Sequence, residues 1–127
     1  MKETIIRCPS DLVPMLKIYS TKKIEYFGIV CLDSGKRILS KKILAMGGES
    51  SAQISIKTLF WEACKKNASA IIVFHNHPSG DPHPSEIDKD TTTAIKEAGE
   101  ILGITLLDHV IIGRYDYFSF LEHDFFK

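Results

Sequence analysis

Short apolar runs rich in β-branched residues alternate along this chain with stretches whose apolar positions recur every three to four residues, the pattern of strands interleaved with helices. Ala70-Ile71-Ile72-Val73-Phe74 is apolar without interruption, as in a strand buried on both faces. Residues 25–32 and 37–46 read as two more strands, and Asp33-Ser34-Gly35-Lys36 between them has the composition of a turn, so the pair predicts a β-hairpin. Ile56, Leu59, Phe60, Ala63 and Cys64 fall on one face at helical spacing. With Ser55 as N-cap they predict a helix through residue 67 whose apolar face is core and whose polar face, Glu62 included, is solvated.

Ser10 is placed to cap an earlier helix over residues 11–19, with Pro14 in its first turn, where a missing N–H matters least. Residues 47–53 are polar and rich in Gly and Ser, hence a loop. A helix from about residue 85 stops at Gly103, and short strands are expected at 104–107, 109–112 and 117–120. Phe118, Phe120, His123, Phe125 and Phe126 are expected to close the core, or in part to form a partner surface. This order implies an α/β domain with a mixed β-sheet flanked by helices.

The strand over 70–74 runs into His75-Asn76-His77-Pro78-Ser79-Gly80-Asp81-Pro82-His83-Pro84-Ser85-Glu86-Ile87-Asp88. If the extended backbone continues, His75 and His77 point the same way, because strand side chains repeat every two residues. The Pro- and Gly-rich loop must turn the chain, and a helix opening at Ser85 brings the carboxylate of Asp88 back toward the histidines. Two histidines and a carboxylate are a recurrent ligand set for catalytic zinc. The same residues also suit a loop in which the histidines bond carbonyls while Ser85 and Asp88 cap the helix. Asn76, Ser79 and Asp81 are expected to hold the loop, and His83, between two prolines, to be exposed.

The 127 residues suit one domain, and 16 basic side chains balance 16 acidic ones, which leaves no overall charge to draw the chain onto nucleic acid. Cys8, Cys31 and Cys64 form neither a paired framework nor a Cys-x-x-Cys motif, which fits a reducing cytoplasm. The N-terminus carries no apolar signal region, and no apolar run is long enough to cross a bilayer.

His75-Asn76-His77-Pro78, followed by Ser85 and Asp88, resembles the JAB/MPN/JAMM metalloprotease signature. The loop through Pro82 and the segment Leu106-Leu107-Asp108-His109-Val110-Ile111-Ile112-Gly113 are similar to the RadC family, from about Glu25 to the end. The resemblance implies the α/β JAB/MPN (cytidine-deaminase-like) architecture and a zinc-dependent hydrolase of peptide or isopeptide bonds acting on a peptide or protein substrate. His75, His77 and Asp88 would hold the metal. Longer members carry an N-terminal helix-hairpin-helix region associated with DNA contact. Nothing in these residues matches it, so residues 1–127 are expected to be a single RadC-like domain, as a short member or a fragment. Gly47-Gly48 and Ser55-Ile56-Lys57-Thr58 depart from the family's usual Gly-Thr and His-Pro-Arg-Glu, which bears on loop shape rather than on the ligands.

Such a hydrolase needs a carboxylate outside the metal's ligand set to carry the water's proton. Spacing leaves Glu25, Glu49, Glu62 and Glu86 as candidates. The resemblance favours Glu25, since Glu25-Tyr26-Phe27-Gly28-Ile29-Val30 is similar to the segment in which a glutamate opens the first core strand. It also gives the Ser85 hydroxyl a role beside the reacting water or the oxyanion. Asp108-His109 reads either as support for a zinc-bound imidazole or as a buried structural pair. Competing functions are a noncatalytic JAMM-like interaction module and a DNA-repair-associated protein. The neutral charge predicts weak or no direct DNA binding, so any association with DNA-repair machinery would be indirect. The His-x-Glu and Pro-Cys-x-x-Cys pattern of zinc deaminases is absent.

Overall fold

Five strands form one sheet in a computed structural model that describes residues 4–47 and 54–126. In chain order they are β1 (Tyr26–Leu32), β2 (Ile38–Met46), β3 (Ala70–Asn76), β4 (Thr105–Ile112) and β5 (Tyr117–Ser119), arranged β2-β1-β3-β4-β5. Only β3 and β4 run parallel; the other neighbours are antiparallel. The parallel pair requires a crossover, supplied by the loop after β3 and helix α3 (Glu86–Leu102). β3 lies at the centre of the sheet and every one of its residues is buried, as its unbroken apolar run requires.

The pleat of the sheet divides the core in two. Phe27, Ile29 and Cys31 of β1 with Ile71 and Val73 of β3 pack against helix α2 (Ile56–Lys65) and α3, through Leu59, Phe60, Ala63 and Ile95. The alternate residues Val30, Leu32, Ile72, Phe74 and Val110 pack against Leu12 and Leu16 of helix α1 (Pro9–Leu16) and against Tyr19. His75 continues the odd-numbered series of β3, so it emerges on the α2/α3 face. Helix α3 ends at Gly103, whose φ of 75° is the left-handed conformation that glycine adopts without strain.

The mixed sheet with its helices is the α/β architecture expected from the pattern, and the hairpin, the Ser55 cap and the stop at Gly103 stand where they were placed. Several details differ. The first helix begins at Pro9, not after Ser10, because the Asp11 carboxylate accepts the N–H groups of Arg7 and Cys8. Pro14 therefore lies inside that helix, which soon tightens into a 3-10 turn over Lys17–Thr21. The two short strands expected around Asp108 are one, β4, with a register shift opposite Ile71 and Ile72. Cys64 is exposed. Glu62 is buried instead of solvated: burial opposes its charge, but Lys65 at 3.1 Å and Lys42 at 3.6 Å hold its carboxyl below the ordinary value.

Of the C-terminal aromatics Phe120 is fully buried, while Phe118, Phe125 and Phe126 are half-buried. His123 is exposed and stacks on Phe118 at 4.1 Å. Among the described residues no helix is long and apolar enough to cross a membrane.

Candidate metal centre

The antiparallel pairing of β1 with β3 puts Phe27 opposite His75, so the same register carried outward brings Glu25, just before β1, toward His77. Glu25, His75 and His77 each point a ligand-type atom into one space, all within 4.8 Å of one another. The Nε2 atoms of the two histidines are 3.1 Å apart. Asp88 enters from the first turn of α3, its Oδ1 3.3 Å from Nε2 of His75 and its Oδ2 3.2 Å from Nε2 of His77. Oε1 of Glu25 is more distant, 3.8 Å from Nε2 of His75.

Each residue is held from outside the cluster. The N–H of His77 bonds the carbonyl of Ile112 at 3.0 Å, and its Nδ1 lies 2.8 Å from the carbonyl of Asp81. A carbonyl can only accept, so Nδ1 carries a proton and Nε2 is the nitrogen that faces the cluster, open to a cation or to a second proton shared with Asp88. Asp88 forms a reciprocal cap with Ser85: Ser85 Oγ accepts the Asp88 N–H at 3.0 Å, and Asp88 Oδ2 accepts the Ser85 N–H at 2.9 Å. The cap reading and the cluster reading of Ser85 and Asp88 thus share one geometry. Nδ1 of His75 lies 2.8 Å from Nε2 of His109, whose Nδ1 is 2.6 Å from the Thr92 hydroxyl.

Asn76 does not hold the loop as expected. It ends β3 with its side chain buried, where its Oδ1 accepts the N–H of Tyr26 at 2.7 Å and its Nδ2 donates to the carbonyl of Ile24 at 3.0 Å. These are the two neighbours of Glu25, so the residue between the histidines clamps the backbone that delivers the glutamate. The loop itself rests on Gly113: a Cβ there would stand 2.6 Å from the Gly80 carbonyl oxygen and 2.8 Å from Pro82 Cδ. Asp81 turns outward to exposed His83, whose Nδ1 is 2.6 Å from its Oδ1.

The cluster draws positive charge to itself. Burial works against the charge of Asp88, but hydrogen bonds from His75 and His77, together with the Ser85 N–H, hold its carboxyl far below the usual carboxylate range. Burial would lower His77, yet the pull of Asp88, the Asp81 carbonyl and Glu25 raises its pKa. Burial raises the carboxyl of Glu25. Two imidazole nitrogens and two carboxylates in one half-buried space favour a cation, or protons in its place.

Of the other glutamates, Glu62 is committed to its lysines, Glu86 is exposed and paired with Lys89 at 3.2 Å, and Glu49 lies outside the described residues. Asp108 and His109 part company. His109 touches His75, whereas Asp108 accepts from its own chain: the N–H groups of His109 and Leu121 at 2.7 and 2.9 Å and the Ser119 hydroxyl at 2.6 Å. Thr92 and the Asn76 clamp were missed in the sequence. Thr92 stands four residues after Asp88, one helical turn on, which was the available signal.

The model of a family described as RadC-like JAB domain matches residues 6–125. A UPF0758 protein of Thermotoga maritima is 40% identical over 122 residues, covering 91% of this chain and 55% of its own length. One from Listeria innocua is 38% identical over 126 residues, 98% of this chain and 56% of that protein. Another, from Pelobacter propionicus, is 44% identical over 98 residues, 77% of this chain and 43% of that protein. The chain thus spans about half the length of the curated relatives it matches.

Proposed function

Because the chain belongs to the RadC-like JAB domain family, we propose that it is a zinc-dependent hydrolase of peptide or isopeptide bonds, with His75, His77 and Asp88 as metal ligands. The observation that carries this reading is the mutual spacing of the donor atoms. Ligands at ~2.0–2.2 Å from a tetrahedral zinc lie about 3.3–3.6 Å from one another. The Nε2 pair at 3.1 Å comes close to that edge length, and Asp88 spans the two imidazoles with one oxygen toward each, Oδ1 at 3.3 Å from His75 and Oδ2 at 3.2 Å from His77. Glu25, at 3.8 Å from His75, sits one step back, where a proton carrier belongs.

Zinc in such a donor set polarises a carbonyl and lowers the pKa of a water from ~15.7 toward ~7. The remaining work falls to the chain. Glu25, its carboxyl raised by burial, takes a proton from the attacking water as the carbon–oxygen bond forms, and returns it to the amide nitrogen as the carbon–nitrogen bond breaks. The Ser85 oxygen is occupied as an acceptor by the Asp88 N–H, which leaves its own O–H to donate to the oxyanion.

Two variants test the assignment. With zinc titrated into the metal-free protein, Asp88→Ala should lose the stoichiometric site and Glu25→Gln should keep it. Glu25→Gln should then fail to cleave a library of fluorogenic amide- and isopeptide-linked peptides that the wild type cleaves. If Asp88→Ala retains wild-type affinity the ligand set is wrong. A wild type that binds zinc but cleaves nothing points to an interaction module instead.

A further inference from the structure

Behind the metal-facing atoms runs a chain of buried hydrogen bonds that crosses from helix α3 to strand β3. Thr92 Oγ1 is 2.7 Å from the carbonyl oxygen of Asp88 and 2.6 Å from Nδ1 of His109, and Nε2 of His109 is 2.8 Å from Nδ1 of His75. Thr92, His109 and His75 are all fully buried, so water cannot substitute for any partner. Which atom donates follows from the end of the chain. A carbonyl only accepts, so the single proton of the Thr92 hydroxyl goes to Asp88. The hydroxyl oxygen must then accept from Nδ1–H of His109, which leaves Nε2 of His109 as an acceptor for Nδ1–H of His75. The nitrogen left on His75 to take a metal, or a second proton shared with Asp88, is Nε2, the one that faces the cluster.

We propose that Thr92 and His109 are positioning residues that set the tautomer and ring orientation of His75 and tie it to the backbone of Asp88, so that ligands from two separate elements are registered to each other. The inference rests on the reading of His75 and Asp88 as metal ligands. Sheet geometry makes the contact possible. β3 and β4 are parallel with Val73 opposite His109, so His109 and His75 emerge on the same face of neighbouring strands, one side-chain repeat apart. Phe120 stacks on the His109 ring at 4.8 Å and Phe27 meets its edge at 5.9 Å, which blocks ring rotation. Groups that bond the far nitrogen of a ligating histidine typically account for 10–100-fold in metal affinity.

Thr92→Val keeps the shape of the side chain and deletes the hydroxyl. His109 is then free to carry its proton on Nε2, which would force the His75 proton onto the nitrogen that should bind metal. Zinc affinity by competition titration should fall about 10–100-fold in Thr92→Val and return to within about threefold of wild type in Thr92→Ser, at unchanged fold by thermal unfolding. Imidazole 15N shifts of the metal-free wild type should place the His109 proton on Nδ1, and in Thr92→Val on Nε2. Wild-type zinc affinity in Thr92→Val, failure of Thr92→Ser to restore it, or a wild-type His109 protonated on Nε2 would each overturn the proposal. Should the wild type bind no zinc at all, the hydrolase reading fails, and the tautomer alone decides the relay.

Discussion

Replacing Asn76 by Asp changes one atom in a place where the structure gives that atom a single acceptable identity. The Asn76 amide N–H meets the Ile24 carbonyl and its oxygen meets the Tyr26 N–H; neither partner can exchange roles. An aspartate keeps the bond to Tyr26 and sets a second carboxylate oxygen about 3 Å from a carbonyl that can offer it nothing. The lost bond costs about 1 kcal/mol, and a buried anionic oxygen without a donor adds roughly 2–3 kcal/mol, partly offset by a stronger bond to Tyr26, for a net of about 3 kcal/mol at neutral pH. The introduced carboxyl therefore has a raised pKa in the folded state. Its proton, once bound, donates to Ile24, so the deficit is present at neutral pH and shrinks as pH falls through that raised value.

Urea unfolding of the metal-free protein at about pH 7 and about pH 5, each against wild type under the same conditions, measures both quantities. Hydrogen exchange at the Tyr26 amide in Asn76→Ala gives the local counterpart, since that N–H then loses its partner. A deficit under about 0.5 kcal/mol at neutral pH, the range of an ordinary surface change, would show that the clamp does not hold the start of β1. So would a deficit that does not narrow on acidification.

Asp108 offers a second pH test. Burial pushes its carboxyl up to about 6 against the pull of Ser119, Leu121 and His109, so its contribution to stability is full below about pH 4 and is lost as pH rises through about 6. Asp108→Asn cannot ionise and should gain about 3 kcal/mol on wild type between pH 4 and pH 7, from a shift of roughly two pH units; a difference between the two unfolding free energies that stays flat with pH would refute this. Gly113→Ala places a methyl against Gly80 and Pro82 and should cost about 1–3 kcal/mol while weakening zinc binding, as the loop carrying the Asp81 carbonyl shifts. A variant with the wild-type melting temperature and zinc affinity would mean that the loop yields without strain.

Local chemistry was legible in the sequence. The unbroken apolar run made β3 a buried central strand, the two-residue spacing put His75 and His77 on one face, and Ser85 with Asp88 announced a helix start, because each depends on neighbours a few positions apart. The family resemblance singled out Glu25 from the four glutamates that spacing left open. Partners separated by many residues were not legible. The antiparallel register of β1 on β3 brings Glu25 toward His77, the parallel register of β4 brings His109 behind His75, and Asn76 reaches across the sheet to Ile24 and Tyr26. Glu62 was misjudged partly for the same reason: Lys65, three residues on in the same helix, could be counted along the chain, but its second cation, Lys42, comes from β2, and no helical periodicity reports a distant strand. Side-chain spacing within an element is set by covalent geometry and can be counted along the chain, whereas register between elements is set by which pairing buries both faces of the sheet at once, and that selection is made only when the whole domain packs.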